Sequence, residues 1–200
     1  RNDGKVFYKN ALPNEIPQMS VGLLLDESGS MCSCDRCTYA RSSAIILYDF
    51  CKALHIPVTV YGHSTSGNSV ELYSYAEFES IDNDDKYRMM DIAARGSNRD
   101  GAALRFVAEQ LVKRPEEVKI LILVSDGQPA APGYYGSAAE EDLRGIRQEY
   151  RRKGVLFIAA AIGEDKQNIE RIYGDSFMDI TDLNQLPVKL TAAVKRHMRV

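Results

Sequence analysis

The residues best equipped for chemistry lie in the run Asp26-Glu27-Ser28-Gly29-Ser30. Asp26, Ser28 and Ser30 fall at every second position, so a tight loop can turn one carboxylate and two hydroxyls toward one point. With water completing the shell, this makes a hard oxygen site of the kind Mg2+ prefers. Taken alone, the spacing also describes a strand end followed by helix-capping hydroxyls. Two later stretches add oxygen donors in similar settings. Gly96-Ser97-Asn98-Arg99-Asp100-Gly101 leads into an apolar helical pattern, and Ile120-Leu121-Ile122-Leu123-Val124-Ser125 ends on Asp126-Gly127.

These donors need elements to position them. Val21-Gly22-Leu23-Leu24-Leu25 has no polar alternation, which predicts a strand buried on both faces. The polar residues then sit just past its carboxyl end, where open α/β sheets bind ligands. A helix is expected over about 35–54, where Ala40, Ser43, Ala44, Leu47, Cys51 and Leu54 recur at three- and four-residue spacing. A second strand is expected at 57–63 and a third at 70–78. The third mixes Glu71, Ser74 and Glu77 with tyrosines, as an edge strand does. Only a turn-rich segment joins these two, so they should pair antiparallel, whereas the strands separated by helices should be parallel.

Further on, a loop with a short helix is expected at 82–94, a helix at 101–112 and strand four at 118–125. A loop should fill 127–136, followed by a helix at 138–152, strand five at 155–162, a helix near 165–173 and strand six near 177–180. A closing helix should run over 182–198. Residues 1–19, with Gly4, Pro13 and Pro17, read as an entry segment, and 20–200 as one domain. The alternation of strands and helices predicts a three-layer α/β/α, Rossmann-like sandwich.

The three polar stretches together resemble the metal-ion-dependent adhesion site of a von Willebrand factor type A domain. That family combines D-x-S-x-S, a threonine before a helix, and an Asp after a later strand. The resemblance runs from about Ser20 to the C-terminus, with one departure. Aligned on Gly101-Ala102-Ala103-Leu104, the threonine falls on Asn98, with Asp100 two residues on. Either Asn98, through its amide oxygen, or Asp100 takes the threonine's role. A similar Asn-x-Asp-Gly stretch marks the CobT-like (cobaltochelatase) and NorD-like (nitric oxide reductase activation) members. The resemblance implies sheet order 3-2-1-4-5-6, with strand three an antiparallel edge and Asp26 and Asp126 on neighbouring strand ends. It also implies Mg2+, with Mn2+ or Ca2+ as substitutes, held by Asp26, Ser28, Ser30, Asn98, Asp100 and Asp126.

Composition narrows the function classes. A net charge of −3 leaves no basic excess for phosphates and argues against nucleic-acid binding. No apolar run approaches the ~20 residues that span a bilayer. The chain opens on Arg1, so a longer parent protein is expected. No Gly-rich phosphate loop and no nucleophile elbow is present.

Cys32, Cys34 and Cys37 crowd after the loop and read first as reduced, non-ligating thiols, with zinc binding through an outside ligand or a disulfide on oxidation as alternatives; the nearby helix N-terminus should lower their thiol pKa. Cys51 should be a core residue. Unpaired thiols suit a cytoplasmic location. His63 ends strand two and either overhangs the metal face or is solvated there. The acids Asp84-Asp85 and Glu140-Glu141-Asp142 are expected on solvated faces.

Two functions remain. One is a non-enzymatic module in which the ion takes a partner carboxylate as its last ligand, with Met31, His63, Tyr134 and Tyr135 offered to the partner. The CobT-like and NorD-like resemblance implies a MoxR- or chelatase-type AAA+ ATPase as partner, in a metal-insertion or metalloenzyme-activation system. The other is a Mg2+-dependent phosphoester hydrolase on the same face, which would need a base beside the ion.

Overall fold

The computed structural model describes residues 18–162 apart from 34, 81 and 128, then 166–180, and the single positions 182, 185, 188, 189, 191 and 192. Most of the expected entry segment and closing helix lies outside the described residues.

Strand β1 (Met19–Asp26) is buried along nearly its whole length, as its unbroken apolar run requires. It pairs parallel with β2 (Val58–Ser66) on one side and β4 (Val118–Ser125) on the other. β3 (Ser69–Ala76) adds antiparallel to β2 as the edge. Beyond β4 come β7 (Val155–Ala161) and β8 (Phe177–Asp179), both parallel. The six-stranded order is β3-β2-β1-β4-β7-β8, which is the expected 3-2-1-4-5-6 counted over the main sheet alone.

Two helical layers cover the sheet. Val21, Leu23 and Leu25 pack with α1 (Arg36–Ala53) and with Met89 of the short α2 (Asp85–Met89). Leu24 faces the opposite layer, made of α3 (Asp100–Val112), α4 (Gly136–Arg152) and α5 (Lys166–Tyr173). At Gly22 a Cβ would lie 2.7 Å from Val107 Cγ1, so glycine lets α3 lie close on β1. The two-residue period of a strand then carries Asp26 to the α3 side, beneath the helix that begins at Asp100.

Several local expectations are corrected. The loop after β4 contains a small hairpin, β5 (Ala130–Ala131) with β6 (Tyr134–Tyr135), and α4 starts directly at Gly136. Asp85 is buried and accepts hydrogen bonds from Tyr48 (2.6 Å), Ser80 (2.6 Å) and Arg88 (2.8 Å). Glu140 is buried between Arg144 and Arg171. Neither acid lies on a solvated face, because arginines brought from three or more residues away neutralise them. Cys51 is a core residue, as expected.

Candidate metal centre

Asp26 sits at the carboxyl end of the central strand and is almost completely buried. Its Oδ1 accepts the Ser28 backbone N–H at 2.8 Å, which folds the loop back over the strand end. Its Oδ2 accepts Ser125 Oγ at 2.8 Å and Asn98 Nδ2 at 3.2 Å. The hydroxyls of Ser28 and Ser30 lie 2.9 Å apart, and Ser30 Oγ donates to Asp126 Oδ1 at 3.1 Å. Asp26, Ser28, Ser30 and Asp126 therefore form one continuous polar chain across two neighbouring strand ends. Asp126 Oδ2 is met by Arg36 Nη1 at 2.5 Å.

The loop carrying the serines is stitched to a second loop, 91–98. Gly29 N–H donates to the Gly96 carbonyl at 2.6 Å, and Arg95 N–H to the Glu27 carbonyl at 2.7 Å. Ser97 and Thr65 exchange backbone bonds at 2.7 and 3.0 Å. At Gly96 a Cβ would stand 2.4 Å from the Thr65 carbonyl oxygen, so this approach requires glycine. Glu27 is fully buried beneath the loops. It accepts Tyr75 OH at 2.6 Å and Arg95 Nε at 2.7 Å. Gly62 makes the space, since a Cβ there would overlap Glu27 Oε1.

Asn98 and Asp100 have separate tasks. The Asn98 amide oxygen accepts the Ala130 N–H at 2.6 Å while its nitrogen faces Asp26. It clamps the β5 turn to the strand end. Asp100 is buried with its Oδ1 3.2 Å from His63 Nε2, close enough for an ion pair but not aligned for a hydrogen bond. The register sets Asp26 directly opposite His63. His63 is fully buried, so it belongs to the floor of the site and not to a partner surface. Met31 is likewise buried in the core, against the expectation that it lines the rim. The 3-10 turn at Gly29–Cys32 rotates its thioether inward.

Comparison with known proteins places the family and the fold. The model of the cobalamin biosynthesis protein CobT VWA domain matches residues 84–198. This chain belongs to the CobT VWA domain family. The uncharacterized protein YojO of Bacillus subtilis (strain 168) is 26% identical over 206 residues, covering 96% of this chain and 32% of that protein. Protein NorD of Brucella suis biovar 1 (strain 1330) is 34% identical over 97 residues, covering 47% of this chain and 15% of NorD. The chain thus spans a third or less of the length of these relatives. Among solved structures, the PilB minor pilin from Streptococcus sanguinis superposes with a TM-score of 0.64 at 14% identity, over 91% of this chain and 61% of that one. A von Willebrand factor type A structure from Catenulispora acidiphila gives 0.57 at 18%, over 85% and 40%. At these identities the two structures establish the fold alone.

The charge state of this VWA domain's site follows from burial. Desolvation, with the Asp100 carboxylate nearby, holds Asp26 above the usual carboxylate range, against the pull of His63 and Ser28. Burial and Asp26 likewise raise Asp126, against Ser30 and Arg36. Burial pushes the His63 ring down, but the Asp100, Asp26 and Glu27 carboxylates outweigh it and hold the ring above its ordinary value. Among the described residues no three His, Cys, Asp or Glu side chains converge as ligands. The convergent set is two carboxylates and two hydroxyls, all oxygen, carrying more negative charge than Arg36 alone offsets. That donor set fits a hard divalent cation.

At the rim, Tyr135 is exposed, while Tyr134 is half-buried with its hydroxyl on Asp142 at 2.8 Å and Arg99 over its ring. Cys32 is exposed and Cys37 partly buried; Cys34 lies outside the described residues. Burial and Glu27 raise the Cys37 thiol pKa, opposite to the lowering expected from the helix terminus. Sequence reasoning gave no role to Ser125, Arg36 and Arg95, and placed Glu27 beside the metal rather than buried beneath the loops. Ser125 was detectable from pleat alternation, because it shares a face with Asp26. The two arginines announce nothing locally.

Proposed function

We propose that this domain is a protein-interaction module, not an enzyme, whose carboxyl-end face holds one Mg2+-type ion, with Mn2+ or Ca2+ as substitutes. The observation that carries the reading is the Ser28–Ser30–Asp126 hydroxyl-carboxylate chain backed by Asp26. Asp26, Ser28, Ser30 and Asp126 would hold the ion directly or through water. Asp100 would add charge from behind, and Asn98 would brace the strand end. When bound, the ion supplies an electrophilic position for one oxygen of a partner Asp or Glu.

The chain's own residues argue against turnover. Among the described residues His63 is the one histidine at this end of the sheet, and it is buried against Asp100 with no access to a substrate. A hydrolase needs a base within reach of its nucleophile. Tyr135 and the β5–β6 turn supply contact surface beside the ion position. No described helix is long and apolar enough to cross a membrane. The free thiols of Cys32, Cys37 and Cys51 support a reducing, cytoplasmic setting. Membership of the CobT VWA family supports a MoxR- or chelatase-type AAA+ ATPase as partner, in metal insertion or metalloenzyme activation.

Titration calorimetry tests the site. The wild-type chain should bind one Mn2+ or Mg2+, and Asp26→Ala should abolish binding with the fold retained, since the apolar strand is untouched. Unchanged affinity in that variant would sink the assignment. Phosphoester turnover that disappears in Asp26→Ala would replace the docking reading with the hydrolase.

A further inference from the structure

Arg36 is the first residue of α1, yet its side chain reaches the loops that follow β1 and β4. Its Nη1 lies 2.5 Å from Asp126 Oδ2 and 3.4 Å from the Ser30 carbonyl oxygen. The side chain is only 14% exposed. The helix itself does not favour a cation there. The first turn of α1 has no acidic residue, and a positive charge at a helix N-terminus opposes the helix dipole. The chain enters the helix through Asp35 at φ 57°, a left-handed conformation that Asp tolerates better than most residues. The shortest contact of the side chain is to Asp126, across the sheet's carboxyl end and away from its own helix.

Asp126 is also one of the oxygens assigned above to the divalent ion, and the following inference rests on that reading. We propose that Arg36 is a built-in counter-ion that the divalent ion displaces from Asp126, and that the released guanidinium then grips the partner carboxylate beside the ion. The chemistry of the side chain supports both halves. A guanidinium paired with a carboxylate forms a short, charge-assisted bond that a competing cation must break. Once free, its planar fork matches a carboxylate, so one partner oxygen reaches the ion and the other reaches Arg36. The occupant is therefore an acidic segment presenting Asp or Glu. An amide or hydroxyl partner would leave the guanidinium unanswered.

The two halves predict opposite signs for one substitution. In the full 200-residue chain, Arg36→Ala and Arg36→Gln should bind Mn2+ more tightly, on the order of tenfold, by calorimetry. At saturating Mn2+ the same variants should bind a hexaglutamate peptide more weakly, again on the order of tenfold. Arg36→Lys keeps the charge but loses the fork and should recover only part of the peptide affinity. A residue that merely supports the fold would lower both affinities.

The wild-type chain gives an independent measurement. Phenylglyoxal modification of Arg36, followed by mass spectrometry, should be slow in EDTA and faster with Mg2+. Unchanged or weaker Mn2+ binding in both neutral variants, with Asp26→Ala still abolishing it, overturns the displacement. A modification rate indifferent to Mg2+ overturns it as well. Full peptide affinity in Arg36→Ala overturns the grip. Mn2+ binding that survives Asp26→Ala overturns the ion reading itself, and this inference with it.

Discussion

Glu27→Ala should be the most damaging single change near the site, although Glu27 is not proposed to touch an ion. The carboxylate is fully buried. It accepts Tyr75 OH at 2.6 Å and Arg95 Nε at 2.7 Å, and Arg95 in turn stacks 4.1 Å over the Tyr73 ring. Truncation leaves the Tyr75 hydroxyl without its acceptor, which costs about 1–3 kcal/mol. Arg95 is partly exposed, so water recovers most of its loss, and about 1 kcal/mol is assigned to that pair. The two missing heavy-atom groups leave a void worth about 1–2 kcal/mol. A total of about 3–6 kcal/mol follows, comparable to the removal of one partner from a buried ion pair. For a chain of this size it should lower Tm by roughly 6–24 °C. Urea unfolding followed by far-UV circular dichroism gives the free energy directly. Tyr75→Phe in the Glu27→Ala background should add little, because the hydroxyl has already lost its acceptor. A Glu27→Ala loss below about 1 kcal/mol, or full additivity of the pair, would refute the reasoning.

Four further outcomes follow from the same geometry. The burial-raised thiol of Cys51 and hydroxyls of Tyr48, Tyr61 and Tyr150 all reach about 12 in the folded chain, from 9.0 for Cys and 10.0 for Tyr. Between those ordinary values and about 12 the unfolded chain has shed protons that the folded chain retains, so stability falls as pH rises through that window. Unfolding midpoints from pH 8 to 11 should decline, and at pH 8 a thiol reagent should modify Cys32 rapidly but Cys51 only on unfolding. A flat profile, or a rapidly reacting Cys51, would contradict the burial. At the rim, Tyr134→Phe should cost about 1 kcal/mol through its bond to Asp142, while Tyr135→Ala should stay within about 0.5 kcal/mol and weaken partner binding at unchanged Mn2+ affinity. A large Tyr135→Ala destabilisation by urea unfolding would show that this residue belongs to the fold and not to the contact surface.

The apolar runs made the architecture legible. Val21 to Leu25 and Ile120 to Val124 have no polar interruption, so central parallel strands were the only economical home for them, and Glu71, Ser74 and Glu77 marked the edge. The donors of Asp26, Ser28, Ser30 and Asp126 were legible because strand ends in an open α/β sheet are where polar groups can converge. Sequence also separated Cys51, on an apolar stripe, from the cysteines after the loop.

What the sequence did not determine depends on partners far along the chain. His63 reads as a strand-end histidine, but its register opposite Asp26 and the descent of α3 onto that face bury it against Asp100. Met31 looks like a loop residue until the 3-10 turn directs it into the core. Asn98 offers an amide oxygen in sequence, and the β5 turn, 32 residues away, claims it. Arg36 and Asp126 are 90 residues apart, and only the packing of α1 over β1, with β4 next to β1 in the sheet, makes them a pair. Periodicity and strand ends are local properties that a sequence fixes residue by residue. The charge state and accessibility of a buried polar group depend on which distant group is packed against it, and only the tertiary structure decides that.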